Sequence, residues 1–401
     1  MLSVSEAQAL VLRHASPLPA ETIPLTVSPL GLVLAEDIAS DLDMPSYDKA
    51  LMDGYAIRTA DLPDGQGTLQ VIEEITAGQT PRLALGPGQA SRIMTGAPLP
   101  AAADAVVMVE RTRWLDDGRV RIEDQPPRPG QNILRRGREM RQGETILEQG
   151  TILRPQELGL LATVGRTSVR AIPVPCVTIL STGDEVVEAA EKPGPGQIRN
   201  SNGPMLVAQT ERAGGMPQYL GIARDRVEHL RPLVLQGLQA SVLILSGGVS
   251  AGKLDLVPGV LHEAGVTAHF HKVEMKPGKP VFFGTTAHGT LVFGLPGNPV
   301  SSLVCFELFV RPAIRRLRGL TDPGTRLINA RLTEDYAYRT DRPTYHPAVL
   351  EVTEDGWRVR AVPWFGSPDL RGLSKANAFV VFPAGDHLHR AGQVLPVLRV
   401  E

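Results

Sequence analysis

Between residues 176 and 320 the chain repeats one pattern: a short unbroken apolar run, a turn, and then a longer stretch with apolar residues three and four apart. The runs at 177–180, 218–223, 242–245, 268–274, 281–283 and 291–295 are short for buried helices and read as strands. Helices are expected from a cap at Asn200, Ser201 or Asn202 to Gly214-Gly215, over 227–238, over 254–263 before Gly265, and over 300–317 before Gly319. Strand and helix in alternation predict a mostly parallel sheet with helices on both faces.

The flanking segments follow other periods. MLSVSEAQALVLRH is an amphipathic helix with Ser3 or Ser5 as its cap. Residues 21–42 read as a short strand and a helical or extended passage, and 44–58 as a loop marked by Pro45, Ser46, Asp48 and Asp53-Gly54. From 68 to about 120 short apolar runs alternate with Gly and Pro turns, which predicts a small all-β unit. A strand or turn and a helix over 155–164 follow, with Pro155 in the first turn, and Pro173 and Pro175 stiffen a boundary. Beyond Pro323-Gly324 the helical period stops, and 327–401 reads as strands only, a small β-barrel. The expected domains are therefore 1–44 with 141–172 as a linking domain, 45–140 as an inserted β-rich domain, 173–322 as the α/β domain and 323–401 as the barrel.

Composition narrows the function. Of 401 residues 42% are hydrophobic and 21% charged, as in ordinary soluble domains. A net charge of −2 and 4% aromatics give no footprint for nucleic acid, so any anion site rests on local lysines and amides. The seven arginines between Arg111 and Arg141 are either a solvated face or a local basic patch. Cys176 and Cys305 lie in apolar runs and read as core thiols without zinc spacing. No run is long enough for a signal peptide or a membrane span, so the expected compartment is the cytosol.

Chemistry gathers where the α/β strands end. One run leads into Ser246-Gly247-Gly248, a second into Ser181-Thr182-Gly183-Asp184-Glu185, and a third into Pro296-Gly297-Asn298-Pro299-Val300-Ser301. Lys276 and Lys279 stand three apart in KPGKP. In open α/β sheets ligands bind beyond the carboxyl ends of the strands, where glycines admit a phosphate and amides point at it. Asp184, Glu185, Asp225 and Asp255 fall beside strand or helix boundaries of this domain, and such acids hold Mg²⁺ together with substrate phosphates. Lysines supply point charges for a phosphate or oxyanion. Neither GxxxxGK[ST] nor a strand-opening GxGxxG occurs, which sets aside P-loop nucleotide hydrolysis and dinucleotide redox chemistry.

Seven motifs, in order, resemble a known family: ALMDGYA at 50–56, RIMTGAPLP at 92–100, PGQNILRRG at 129–137, STGDE at 181–185, SGGVSAGKLD at 246–255, KPGKP at 276–280 and GLPGNPVS at 294–301. They are similar to the molybdopterin molybdenumtransferases, the MoeA and gephyrin E-domain family of molybdenum cofactor synthesis, over essentially the whole chain. The resemblance implies four domains, an elongated linking domain among them, in a homodimer whose cleft lies between the sheet domain of one subunit and parts of the other. It implies Mg²⁺-dependent insertion of molybdate into adenylylated molybdopterin with release of AMP, and encounters with molybdopterin adenylyltransferase and other cofactor-synthesis proteins. Asp53 and Thr95 then belong to the cleft contribution of the amino-terminal half. Asp184, Asp225 and Asp255 serve the metal, with Glu185 and Asp255 in the pyrophosphate chemistry. Lys276, Lys279 and Ser301 bind the anionic substrate or molybdate. Ser246, Gly247 and Gly248 cradle the pterin phosphate, and the STG and PGNP loops line the substrate site. The chain departs from its relatives at Lys253, often glutamate there, at Arg138-Glu139, where they commonly read Glu-Asp, and at Pro347, where many carry an arginine after Tyr-His; Arg342 is the arginine nearby in sequence. Two further functions compete with this one. An adenylyltransferase uses a similar Gly-Gly loop but lacks the flanking domains, and a pterin-binding scaffold needs none of the lysines and acids.

Overall fold

The computed structural model describes residues 1–248 and 256–400 and divides into two compact units. One comprises Met1–Ile23, Gly31–Ala35 and Arg170–Glu401; the other comprises Pro24–Leu30 and Glu36–Val169.

The larger unit opens on helix α1 (Val4–His14), capped by Ser3: its Oγ accepts the Glu6 amide at 3.2 Å while the Glu6 carboxylate accepts the Ser3 amide at 2.8 Å. Its central sheet contains β1 (Cys176–Thr182), β2 (Met216–Ala223), β3 (Val242–Ser246), β4 (Thr267–Phe270), β5 (Phe282–Thr285) and β6 (Leu291–Leu295), in the spatial order β2-β1-β3-β6-β5-β4. Strands β2, β1, β3 and β6 are mutually parallel, and β5 runs against both neighbours. Helices α2 (Asn202–Ala213) and α5 (Pro299–Cys305) contribute Leu206, Ala213, Val300 and Val304 to the core on one face. Helices α3 (Val227–Gly237) and α4 (Val257–Glu263) contribute Leu230, Val234, Val257 and Leu261 to the other. Along β3, Val242 and Ile244 enter the first core, Leu243 and Leu245 the second. A sheet covered on both sides needs apolar residues at successive positions, so its strands read as continuous runs. Each such buried side chain contributes about 1.5–3 kcal/mol.

Register carries the strand ends into line: Ser181 pairs with Ser246, and Ser246 with Leu295. The helix expected over 300–317 is α5, a π turn (Phe306–Val310) and a further helix (Arg311–Leu317). Glu307 is buried within that turn and receives Gln209 Nε2 at 2.7 Å and Arg212 Nη2 at 3.0 Å.

The C-terminal strands Leu327–Leu332, Gly356–Ala361, Thr344–Thr353, Ala378–Phe382 and Val394–Arg399 close in that order into a barrel, and Tyr336–Thr340 pairs with Gly385–His389 as a separate ribbon. The segment expected to hold strands only also holds a short helix, Leu370–Leu373. Its cause is the Asp369 carboxylate, which accepts the Gly372 amide at 2.8 Å and the Phe365 amide at 3.1 Å.

The smaller unit carries a six-stranded sheet in the order Ala105–Met108, Gly54–Ile57, Gln89–Ile93, Gln66–Ile75, Arg119–Glu123, Thr112–Trp114. The loop expected over 44–58 is therefore corrected, because Gly54–Ile57 is an interior strand with all four residues buried. The turn chemistry of Asp53 ends one residue earlier, and Gly54 is there for contact: a Cβ on it would lie 1.9 Å from Val107 O. In the arginine-rich stretch Arg135 meets Asp48 at 2.5 Å and Arg136 meets Asp43 at 2.7 Å, both arginines more than half exposed. Cys305 is buried as expected, whereas Cys176, at the start of β1, is only half-buried. Among the described residues no helix is long and apolar enough to cross a membrane.

Candidate functional site

Three of the predicted loops meet where β1, β3 and β6 end. Gly247 is the contact point: its φ is +93°, and a Cβ on it would stand 2.6 Å from Thr182 O. Only a glycine lets the β3 loop pass that close to the β1 loop. The Gly247 amide donates to Leu295 O at 3.0 Å, which ties it to the end of β6 as well. Gly248 also has positive φ, +61°. A cleft of about 270 Å³ opens over this junction, lined in part by Ser181, Thr182, Glu185, Ser246, Gly247, Gly297 and Asn298. Gly183 (φ +139°) lies under Glu185, whose carboxylate would touch a Cβ there at 2.6 Å.

Two residues that sequence reading treats only as possible helix caps build the floor of this cleft. Asn202 Nδ2 donates to Ser246 Oγ at 2.7 Å and to Gly297 O at 2.8 Å, joining the β3 and β6 loops through the first residue of α2. Asn200 Nδ2 donates to Ser181 Oγ at 2.9 Å and to Tyr219 OH at 2.6 Å, while its Oδ1 accepts the Gly203 amide at 2.9 Å in the expected capping manner. Burial and the Glu188 carboxylate push the Tyr219 phenol up to about 12, so it stays protonated and donates to Glu188 at 3.0 Å. Asn202 Oδ1 and Thr182 Oγ1 are buried without a hydrogen-bond partner. Asparagines at the start of a helical run were the available signal, but the partners of Asn202 lie 44 and 95 residues away and those of Asn200 lie 19 away on either side.

The acids follow β1 and β2. The Asp184 amide faces Asp225 Oδ2 at 3.4 Å, and the Asp225 amide faces Asp184 Oδ1 at 3.2 Å. Asp184 lines a second, open recess together with Gln197, Arg224, Arg226, Glu228 and His229. Among the described residues no three His, Cys, Asp or Glu side chains assemble as a metal cage. Two carboxylates on adjacent loops are the donor type that Mg²⁺ takes, since it keeps several waters and fills the rest of its shell from substrate phosphates. Asp255, the third acid expected at the metal, and Lys253 lie outside the described residues.

The lysine loop is held from two sides. The Lys276 amide donates to Pro343 O at 2.9 Å, and its carbonyl accepts the Tyr345 amide at 2.7 Å. Lys276 Nζ stands 5.7 Å from the centre of the Tyr338 ring. The Lys279 carbonyl accepts the amides of Val273 and Val281 at 3.1 and 3.2 Å. Gly278 (φ +101°) abuts α5: a Cβ there would lie 2.5 Å from Cys305 Sγ and 3.6 Å from Ser301 O. Ser301 is buried one turn into α5, after Pro299 at the first helical position and Asn298, whose Nδ2 donates to Ser367 Oγ at 3.0 Å. Pro296 precedes Gly297 in the same loop. Arg342, next to the clamp at Pro343, is engaged with Asp341, Nε to Oδ1 at 3.0 Å and Nη2 to Oδ2 at 2.7 Å.

In the smaller unit Asp53 and Thr95 come together. Asp53 Oδ1 accepts the Thr95 amide at 2.6 Å and its hydroxyl at 2.7 Å, and these bonds hold the carboxyl below its usual range.

Comparison with known proteins agrees with this arrangement along the whole chain. Residues 2–165 match the family described as "MoeA N-terminal region (domain I and II)", 178–316 that described as "Probable molybdopterin binding domain", and 329–400 "MoeA C-terminal region (domain IV)". A protein of Bacillus subtilis, "Molybdopterin molybdenumtransferase", is 35% identical over 374 residues, covering 92% of this chain and 87% of its own length. The chain belongs to the molybdopterin molybdenumtransferase family. A relative of the same description from Staphylococcus aureus is 33% identical over 100% of this chain and 96% of its own. Among solved structures, the "molybdopterin biosynthesis moea protein from Pyrococcus horikosii" superposes with a TM-score of 0.84 at 31% identity, over 100% of this chain and 99% of that one. The resemblance carried by the seven motifs and the multidomain α/β-plus-barrel fold class both stand. As a molybdopterin molybdenumtransferase family member the chain is a transferase of molybdenum cofactor biosynthesis.

Proposed function

We propose that this chain inserts molybdate into adenylylated molybdopterin, with Mg²⁺ and with release of AMP. The observation that carries the reading is the junction at Gly247, where three strand-end loops are locked into one cleft lined by Ser181, Thr182, Ser246, Gly247, Gly297 and Asn298. A pterin carries ring N–H donors, and its phosphate suits glycine loops at strand ends. Asp184 and Asp225, with Asp255, would hold Mg²⁺, which when bound polarises the phosphoryl oxygens. Glu185, the chain neighbour of Asp184, lines the Gly247 cleft. Lys276 and Lys279 supply positive charge for a tetrahedral dianion, with Ser301 beneath their loop. The Lys276 backbone is bonded on both sides, which holds the loop that carries the charge. Asp53 and Thr95 form a hydrogen-bonded pair in the smaller unit. No protein nucleophile is needed when the incoming group is the oxyanion itself.

The reading extends to a cytosolic homodimer that receives its substrate from a molybdopterin adenylyltransferase, and light scattering should give twice the chain mass. The deciding experiment measures AMP released from adenylylated molybdopterin by the purified protein with Mg²⁺, with and without molybdate. Release that requires molybdate, and that Asp225→Asn or Lys279→Ala reduces at least tenfold, is the expected result. Tight pterin binding with no release under either condition overturns it in favour of a scaffold.

A further inference from the structure

The paired acids Asp184 and Asp225 stand in loops, each two residues beyond its strand, and their direct contacts are long, at 3.4 and 3.2 Å. A shorter set of bonds holds the segment that carries Asp184. Arg224 Nη1 donates to Asp184 O at 2.9 Å and to Val186 O at 3.0 Å, so one nitrogen spans the two carbonyls on either side of Glu185. Arg224 is itself oriented, because its amide donates to His229 Nδ1 at 2.9 Å and its carbonyl accepts the Arg226 amide at 2.7 Å. Arg224 is also the chain neighbour of Asp225. One half-buried residue therefore bears one acid on its backbone and grips the loop of the other with its side chain.

We infer that Arg224 is a positioning residue that sets the separation of the Asp184 and Asp225 carboxylates for a divalent cation. The inference rests on the reading of these acids as Mg²⁺ ligands. Both bonds leave a nitrogen whose two hydrogens lie fixed in the guanidinium plane, so the carbonyls are held at a defined spacing; a lysine ammonium rotates freely and fixes none. Partners that orient ligands from outside the first shell typically affect metal affinity 10–100-fold.

The test uses Mn²⁺ as the probe, titrated into the full-length protein and followed by the electron paramagnetic resonance signal of the free ion. Asp225→Asn, Arg224→Ala and Arg224→Lys are compared with wild type. The expected result is loss of binding in Asp225→Asn and at least tenfold weaker binding in both Arg224 variants. Melting should stay cooperative, and amide exchange over 184–187 should be faster. Ethylguanidinium should restore Mn²⁺ affinity to Arg224→Ala, which a general loss of structure would not allow. In AMP release, Arg224→Lys should raise the Mg²⁺ requirement while kcat at saturating Mg²⁺ stays near wild type. If Arg224→Ala does not fold, Arg224→Lys carries the same test. Wild-type Mn²⁺ affinity in both Arg224 variants, with Asp225→Asn impaired, overturns the role of Arg224. Unchanged affinity in Asp225→Asn overturns the metal reading itself.

Discussion

Asn202 fixes two loops with a single amide group, and both bonds need a donor. Aspartate has the same shape but only acceptors, so Asn202→Asp sets a carboxylate against Gly297 O and leaves that carbonyl unpaired. The expected cost is about 1–3 kcal/mol, read as a lower midpoint in urea unfolding at pH 7. Gly247→Ala should cost a similar amount, about 1–3 kcal/mol, for a backbone reason: its φ of +93° and the 2.6 Å approach to Thr182 O leave a methyl no room. The two variants differ in how much of the site was legible beforehand. Gly247 announced itself because a Gly-Gly turn after an apolar run is a local signal. Asn202, Asn200 and Arg224 did not, because their partners are hydroxyls and backbone carbonyls of segments distant in sequence, and no spacing rule encodes a tertiary hydrogen bond. Nor did the pairing of Asp184 with Asp225, 41 residues apart, follow from either motif taken singly.

Strands and helices were legible where burial imposes a period. The β3 and β6 runs were readable to within a residue because both faces of the sheet are covered, whereas Gly54–Ile57 was obscured by the turn residues just before it. In the barrel, the strand Thr344–Thr353 presents a histidine that no local pattern marks. His346 is 2% exposed; its Nε2 lies 3.0 Å from Val362 O and 3.1 Å from Tyr336 OH, and its Nδ1 has no partner. Burial pushes its pKa down to about 4, with Lys276 adding to the same effect, so the folded protein keeps this ring neutral. The unfolded chain takes up a proton near pH 6.5 and the folded one only near 4. Stability is therefore complete above pH 6.5 and falls by about 1.4 kcal/mol per pH unit until the folded value is reached, roughly 3 kcal/mol in all. His346→Gln should flatten that slope in denaturant unfolding between pH 7 and pH 4. An unchanged slope would mean that other groups carry the acid sensitivity.

Across the larger unit, the lysine loop joins the sheet domain and the barrel: Gly278 packs on α5 of the sheet domain, and Lys276 is bonded to the barrel segment at Pro343 and Tyr345. The KPGKP motif identified the charge, but the clamp could not be read from it, since its partners lie some seventy residues on, in strands of another period. This arrangement gives the barrel a part in orienting the cation. Tyr338 places its ring under Lys276 Nζ at 5.7 Å, a contact worth about 0.5–1 kcal/mol where solvent reaches it. Tyr338→Leu keeps an apolar side chain on that ribbon and removes the aromatic face. If the ammonium is aimed by the ring, the molybdate concentration for half-maximal AMP release should rise about 2–5-fold, the equivalent of that energy. Affinity for the adenylylated pterin and the melting temperature should stay at wild-type values, because neither the Gly247 cleft nor the Lys276 backbone clamp is touched. Tyr338→Phe, which retains the ring, should behave as wild type. Equal losses in the Leu and Phe variants would assign the effect to the phenol hydroxyl and remove the ring from the account of how Lys276 is held.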